Sequence, residues 1–223
     1  MPSKRYRAMV LCEKGTGMPK TIYEQTYTNY LAQLEGLDLA SVGEKLGCDV
    51  ERNEVLIPLF GKPHRVSEKG ILDPSGKQPA FDQCVILCKY LLLCPDVPPK
   101  NYEWVSYRGL KDSGPLTKYF SNDVERAIAE YFKGTVNRLA EASKALGGYP
   151  PAVDASYDLS AQFEALPRVP VVMLFNDAEE DFPTKCSVLF ENRAERYLDA
   201  ECLAMLGRLL FTYLKEAAGL HQI

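Results

Sequence analysis

The stretch from Leu166 to Glu201 constrains the fold most, because it holds two apolar strands and the turn that joins them. Val169 to Phe175 is continuously apolar, a pattern that suits a central strand with both faces covered. Ser187 to Phe190 returns antiparallel to it across a turn carrying Asp177, Glu179, Glu180 and Asp181. Upstream, Tyr157, Leu159, Ala161, Phe163 and Ala165 alternate with their neighbours and predict a half-buried strand from Ser156 to Leu166. A chain built around this hairpin needs helices to cover it.

Those helices are legible. Ile22, Tyr23, Tyr27, Tyr30, Leu31 and Leu34 recur at three and four and predict a helix from Thr21 to Glu35. A second runs from Leu39 to Leu46 and stops at Gly47. Cys48 to Glu51 and Glu54 to Phe60 read as a hairpin closed by Arg52-Asn53, with a further strand from His64 to Ser67. Ala80 to Cys94 is apolar on nearly every side, as a buried central helix would be. Ser121-Asn122-Asp123 is placed to cap a helix through Phe132, and another covers Thr135 to Leu146. Asn192 with Glu195 resembles a capping box that opens a final helix reaching Ala218. Runs of strands between runs of helices give an α+β class: an antiparallel sheet with a central hairpin packed against several helices. At 223 residues the expected organisation is a tail or loop over 1–20 followed by one domain over 21–223.

Composition narrows the function classes. A net charge of −4 argues against a dedicated nucleic-acid binder, which carries a basic stripe. The longest apolar stretch, Cys84 to Cys94, is interrupted by Lys89 and is too short to span a bilayer, so no membrane association is expected. Seven cysteines without a secretory leader point to a reducing, cytoplasmic setting.

Candidate chemistry is sparse. Carboxylates as close as Asp177, Glu179, Glu180 and Asp181 can converge on Mg²⁺ or Ca²⁺, with Glu179 and Asp181 the first candidates as ligands. The plainer reading is a hairpin tip that faces water and keeps strand edges from pairing. Phe182-Pro183 predicts that the turn folds back onto the body. Cys84 and Cys88 share a helix face and could ligate Zn²⁺ with a second pair, although free cysteines more often pack in a core. The Gly15-Thr16-Gly17 loop precedes a helix but lacks the Walker spacing. Neither His64 nor His221 sits in a triad or metalloprotease pattern. Trp104 and Arg108 follow a proline-rich loop, and Arg168 stands at the start of the central hairpin. Arg108 can pair a carboxylate or phosphate, Arg168 can answer the acidic turn or a local carboxylate, and the plainer reading of Trp104 is cover for one end of the central helix.

Four segments carry a family resemblance: LPRVP at 166–170, EEDFP at 179–183, VLFE at 188–191 and YLDAE at 197–201. They resemble the C-terminal signature of an uncharacterised prokaryotic family, the domain of unknown function 3786. Trp104-Val-Ser-Tyr-Arg108 resembles its middle signature, and the likeness spans Thr21 to Ala217. The resemblance implies an anaerobic context, sometimes beside iron–sulfur domains, and names no cofactor. The family's turn tends to read Gly-Asp-Glu-Glu-Phe-Pro, where this chain has Ala178-Glu179-Glu180-Asp181-Phe182-Pro183. Exchanged carboxylate lengths weigh against strict metal ligation.

The leading expectation is a cytoplasmic ligand- or partner-binding accessory domain in anaerobic redox or one-carbon metabolism. Its partner is a small molecule or a redox protein, and its surface combines the acidic turn with Trp104, Arg108 and Arg168. The alternatives are a metal-dependent hydrolase or transferase using residues 177–181, and a purely structural protein-interaction subunit.

Overall fold

A computed structural model describes residues 20–152, 156–179 and 182–220. The Gly15–Gly17 loop, Glu180, Asp181 and His221 lie outside the described residues. Helix α1 (Lys20–Leu34) leads into α2 (Leu39–Leu46). Asp38 opens α2 by accepting Ser41 N–H at 3.1 Å, and Gly47 closes it at φ 73°, a left-handed conformation that glycine adopts without penalty.

The first sheet is an antiparallel meander of β1 (Asp49–Glu51), β2 (Glu54–Leu59), β3 (Lys62–Ser67) and β4 (Gly70–Leu72). Arg52 and Asn53 close its first hairpin at φ 49° and 68°, the pair of positive angles that matches strand twist. His64 is a satisfied core residue, with Nδ1 2.8 Å from Lys62 O.

Helix α3 (Phe81–Leu92) is buried along most of its length, as its all-round apolarity predicts. Strand β5 (Trp104–Ser106) and a 3₁₀ turn at Tyr107–Gly109 follow. Helix α4 covers 117–132 and contains a π-helical turn at Ser121–Glu125. The expected start at Ser121 is thus corrected. Pro115 begins a 3₁₀ turn earlier, and Ser121 to Asp123 lie inside the helix. The widened turn has a packing reason. Phe120, Val124, Ile128 and Phe132 are all buried and recur every four residues, longer than the α-helical 3.6. One wide turn keeps them on one face. Phe120 stacks on Tyr107 at 4.2 Å, and Gly207 makes room, since a Cβ there would meet the ring at 2.5 Å.

After α5 (Val136–Ala145) come β6 (Leu159–Leu166), β7 (Val169–Asn176) and β8 (Lys185–Glu191). The second sheet has the order β5-β8-β7-β6 and is antiparallel throughout. The final helix α6 (Ala200–Leu220) starts later than the capping-box reading placed it. Asn192–Arg196 is a separate 3₁₀ turn, Glu195 accepts the backbone N–H of Lys111 at 2.8 Å, and Asp199 caps α6 through Cys202 N–H at 2.9 Å. Tyr197 and Leu198 are adjacent and both buried, which the break between the two helical pieces allows.

The class is α+β, with the central hairpin in place. The sheets meet where Phe60 N–H donates to Ala165 O at 2.9 Å. A connected apolar core spans both sheets and includes Val171, Met173 and Phe175 from one face of β7. Val172 and Leu174 are also buried but stand outside that core, on the opposite face. Strand β5 pairs with β8 only at residues 189–191. Farther along that edge Glu125 takes over, accepting Val188 N–H at 3.1 Å. Among the described residues no helix is long and apolar enough to cross a membrane.

Candidate functional site

Strand register decides which candidates can meet. Trp104 lies opposite Glu191, and Arg168 occupies the β6–β7 turn, so both sit at one end of the second sheet. Asp177 follows Asn176, which pairs with Lys185 at the other end. At about 3.3 Å per residue, β7 from Val169 to Asn176 puts about 23 Å between its two ends. The acidic turn and the Trp104–Arg168 group are therefore two regions at opposite ends of the hairpin.

At the acidic end, Asp177 is a structural staple. Both of its carboxylate oxygens accept Gly134 N–H at 2.9 Å, and Oδ1 also accepts Ala178 N–H at 2.8 Å and the Thr184 hydroxyl at 3.1 Å. Gly134 can offer its N–H this way at φ 70° because it has no side chain. Burial pulls the Asp177 carboxyl upward, but these donors and nearby Lys133 outweigh it and hold the group below the usual carboxylate range. Glu179 and Phe182 exchange backbone hydrogen bonds at 3.0 and 3.2 Å, closing a tight turn. Phe182 is 70 % exposed, so the expectation that it folds back onto the body is corrected. A cleft of about 390 Å³ lies between α4 and residues 183–186. Its Arg126 pairs with Glu130 at 2.6 Å.

Among the described residues no three His, Cys, Asp or Glu side chains are grouped to hold a metal ion. Cys84 and Cys88 are buried in α3, and burial pushes both thiols up to about 12, which suits packing better than ligation.

The opposite end is cationic and draws on several segments. Arg168 donates its backbone N–H to the Tyr90 hydroxyl at 3.0 Å. Its guanidinium lies beside Gly47, where a Cβ would stand 3.2 Å from Nη2. Among the described residues that guanidinium makes no hydrogen bond or ion pair. Its charge is felt at Cys48, Cys94 and Tyr197. Burial pushes the Cys48 thiol up to about 12 against the pull of Arg168, and raises Cys94 against Lys45 and Arg168. Burial also raises the Tyr197 hydroxyl, opposed by the charges of Arg193 and Arg168. Arg193 forms a nearly buried ion pair with Glu191 and sits 4.4 Å over the Tyr102 ring.

Beside Arg193 a cleft of about 360 Å³ opens between residues 97–101 and 192–196. Backbone bonds fix its walls: Asn192 N–H to Glu103 O at 2.8 Å and Arg193 N–H to Asn101 O at 3.2 Å. On the far strand of the same sheet Tyr149 donates its hydroxyl to Glu164 and accepts Gln162 Nε2 at 2.7 Å. Burial and the Glu164 carboxylate push that hydroxyl up to about 12.

Arg108 is exposed on the 3₁₀ turn, while the neighbouring Tyr107 is buried and donates its hydroxyl to Ala200 O at 2.8 Å. The WVSYR segment thus contributes a tyrosine anchor as well as Trp104. Reading the sequence missed Arg193, Arg196, Lys100 and Tyr197. Arg193 and Arg196 fell inside a segment read as continuous helix, and a three-residue arginine spacing was the one signal available.

The family model for DUF3786, a domain of unknown function, matches residues 38–213. The chain belongs to this family. The matched span includes both sheets and both ends of the β7–β8 hairpin. No curated protein and no solved structure matches the chain.

Proposed function

We propose that this member of the family is a ligand- or partner-binding accessory domain whose working surface is the Arg168 end of the second sheet. The observation that carries the reading is the Arg168 guanidinium, half-buried beside Gly47 and, among the described residues, without a hydrogen bond or ion pair of its own. A guanidinium that the fold leaves unmatched is available to a ligand's carboxylate or phosphate. Trp104 belongs to the same end. The family resemblance supports an accessory role in anaerobic redox or one-carbon metabolism, with a small molecule or a redox protein as partner, and the cysteine usage supports a cytoplasmic setting.

The metal-dependent reading of the acidic turn has less support. Asp177 already directs both oxygens at N–H and O–H donors, which compete with a cation for the same lone pairs. Anaerobic purification followed by native mass spectrometry, absorption spectra and metal analysis tests the choice. The expected result is a retained small molecule or partner that Arg168→Ala releases. One equivalent of metal lost on Glu179→Gln or Asp181→Asn would instead move the function to the acidic turn.

A further inference from the structure

We infer that the cleft between residues 97–101 and 192–196 is an anion site that takes a small metabolite bearing two or more carboxylates, or a phosphate. This rests on the binding-domain reading above and gives it a ligand class.

Charge is the first argument. Lys100, Arg193 and Arg196 line the cleft, in a chain whose net charge is −4. The one carboxylate of the lining, Glu195, already accepts the backbone N–H of Lys111 at 2.8 Å. Among the described residues Lys100 and Arg196 have no ion pair. Arg193 is anchored from behind by Glu191 and by Tyr102, so its position is set before any ligand arrives.

Geometry is the second. Asn192–Arg196 is a 3₁₀ helix, in which side chains three apart eclipse, so Arg193 and Arg196 project to the same side. Arg193 keeps Glu191 as its partner, so Arg196 and Lys100 supply the charges open to carboxylate or phosphate oxygens, and Arg193 adds to the local positive field. Asn101 and Asn192 add amides that can serve oxygens which the cations do not reach. A volume of about 360 Å³ lies at the small end of ligand sites, which run from about 300 to 1,000 Å³. Pro98 and Pro99 stiffen the outer wall, and the two backbone bonds to residues 101 and 103 hold it against the 3₁₀ turn. The cleft at the other end of β8, about 390 Å³, also carries cations, Lys133 and Lys185 beside an Arg126 paired with Glu130, but it offers no second arginine three residues along a 3₁₀ turn.

Calorimetric titration of the full chain with citrate and with pyrophosphate, at low ionic strength, tests the site. Saturable binding of either probe is expected, weakened at least about tenfold in Lys100→Ala/Arg196→Ala, whose side chains are exposed and hold no ion pair. Arg65→Ala, an exposed cation on β3, is the control and leaves binding unchanged. Raising salt to about 0.5 M weakens binding as screening predicts. Preference for pyrophosphate marks a phosphorylated ligand, and preference for citrate a polycarboxylate. No saturable binding of either probe, or equal loss in the double variant and in Arg65→Ala, overturns the inference. A neutral molecule retained in native mass spectra and released by Arg168→Ala, with neither probe binding, overturns the anion class alone and leaves the binding-domain reading standing.

Discussion

The two ends of the β7–β8 hairpin handle charge in opposite ways. At the acidic end, Asp177 sits among donors that the fold itself supplies, and it ties the hairpin to the α4–α5 junction at Gly134. At the basic end, Arg168, Arg196 and Lys100 have no described ion pair, while Arg193 is matched by Glu191 and Lys45 by Asp96. Sequence alone makes the acidic turn the more eye-catching of the two. Concentrated charge is weak evidence of function when the backbone offers partners for it, and unmatched charge beside a fixed cleft is stronger.

Breaking the nearly buried pair at the basic end should have the largest effect on stability. Glu191→Gln leaves the Arg193 guanidinium, 13 % exposed, without its carboxylate and should cost about 3 kcal/mol, read as a fall in denaturant midpoint. At the acidic end Asp177→Ala removes the acceptor for Gly134, Ala178 and Thr184 and should cost about 2 kcal/mol. The pH dependence sharpens this prediction. Asp177 is held lower in the folded state than in the unfolded chain, so its contribution is present above the unfolded carboxylate range and is lost as pH falls through the folded value. Asp177→Asn should therefore flatten the acid limb of the stability profile, and an unchanged limb would contradict the staple.

Glu125 should show the reverse sign. Burial raises its carboxyl, against the pull of the Val188 N–H bond and Lys185, so its contribution is full below the unfolded range and declines as pH rises through the folded value. Glu125→Gln keeps an acceptor for Val188 and should give a small gain in stability at pH 8 that vanishes at pH 4. The smallest stability effect belongs to Arg168→Ala, within about 0.5 kcal/mol in thermal melts, because no described bond of its guanidinium is lost. A loss several times larger would make Arg168 a fold residue and erase the contrast between the two ends.

Much of the fold was legible. Hydrophobic periodicity located α1, α2, α3 and the strands of the hairpin, because burial imposes a period of 3.6 or 2 directly on the residue order. The misplaced helix starts at Ser121 and Asn192 have a common cause. Capping residues report local hydrogen-bonding potential, while the true starts followed tertiary demands: the four-residue repeat from Phe120 to Phe132 and the adjacent burial of Tyr197 and Leu198. The candidate site was half legible. Trp104 and Arg168 could be named, but their shared end depends on strand order, which no local pattern encodes. Lys100, Arg193 and Arg196 come together only once residues 97–103 dock on the 3₁₀ turn.

The short reach of β5 has a consequence for how the chain leaves the ribosome. Strand β8 carries an edge that β5 covers over three residues and α4 covers beyond, through Glu125. Both covers precede β8 in the chain, so each is synthesised before the edge it protects emerges. A circular permutant opened between α5 and β6 would reverse that order. Its hairpin would emerge with a bare edge, and its nascent form should aggregate even where the finished fold is stable.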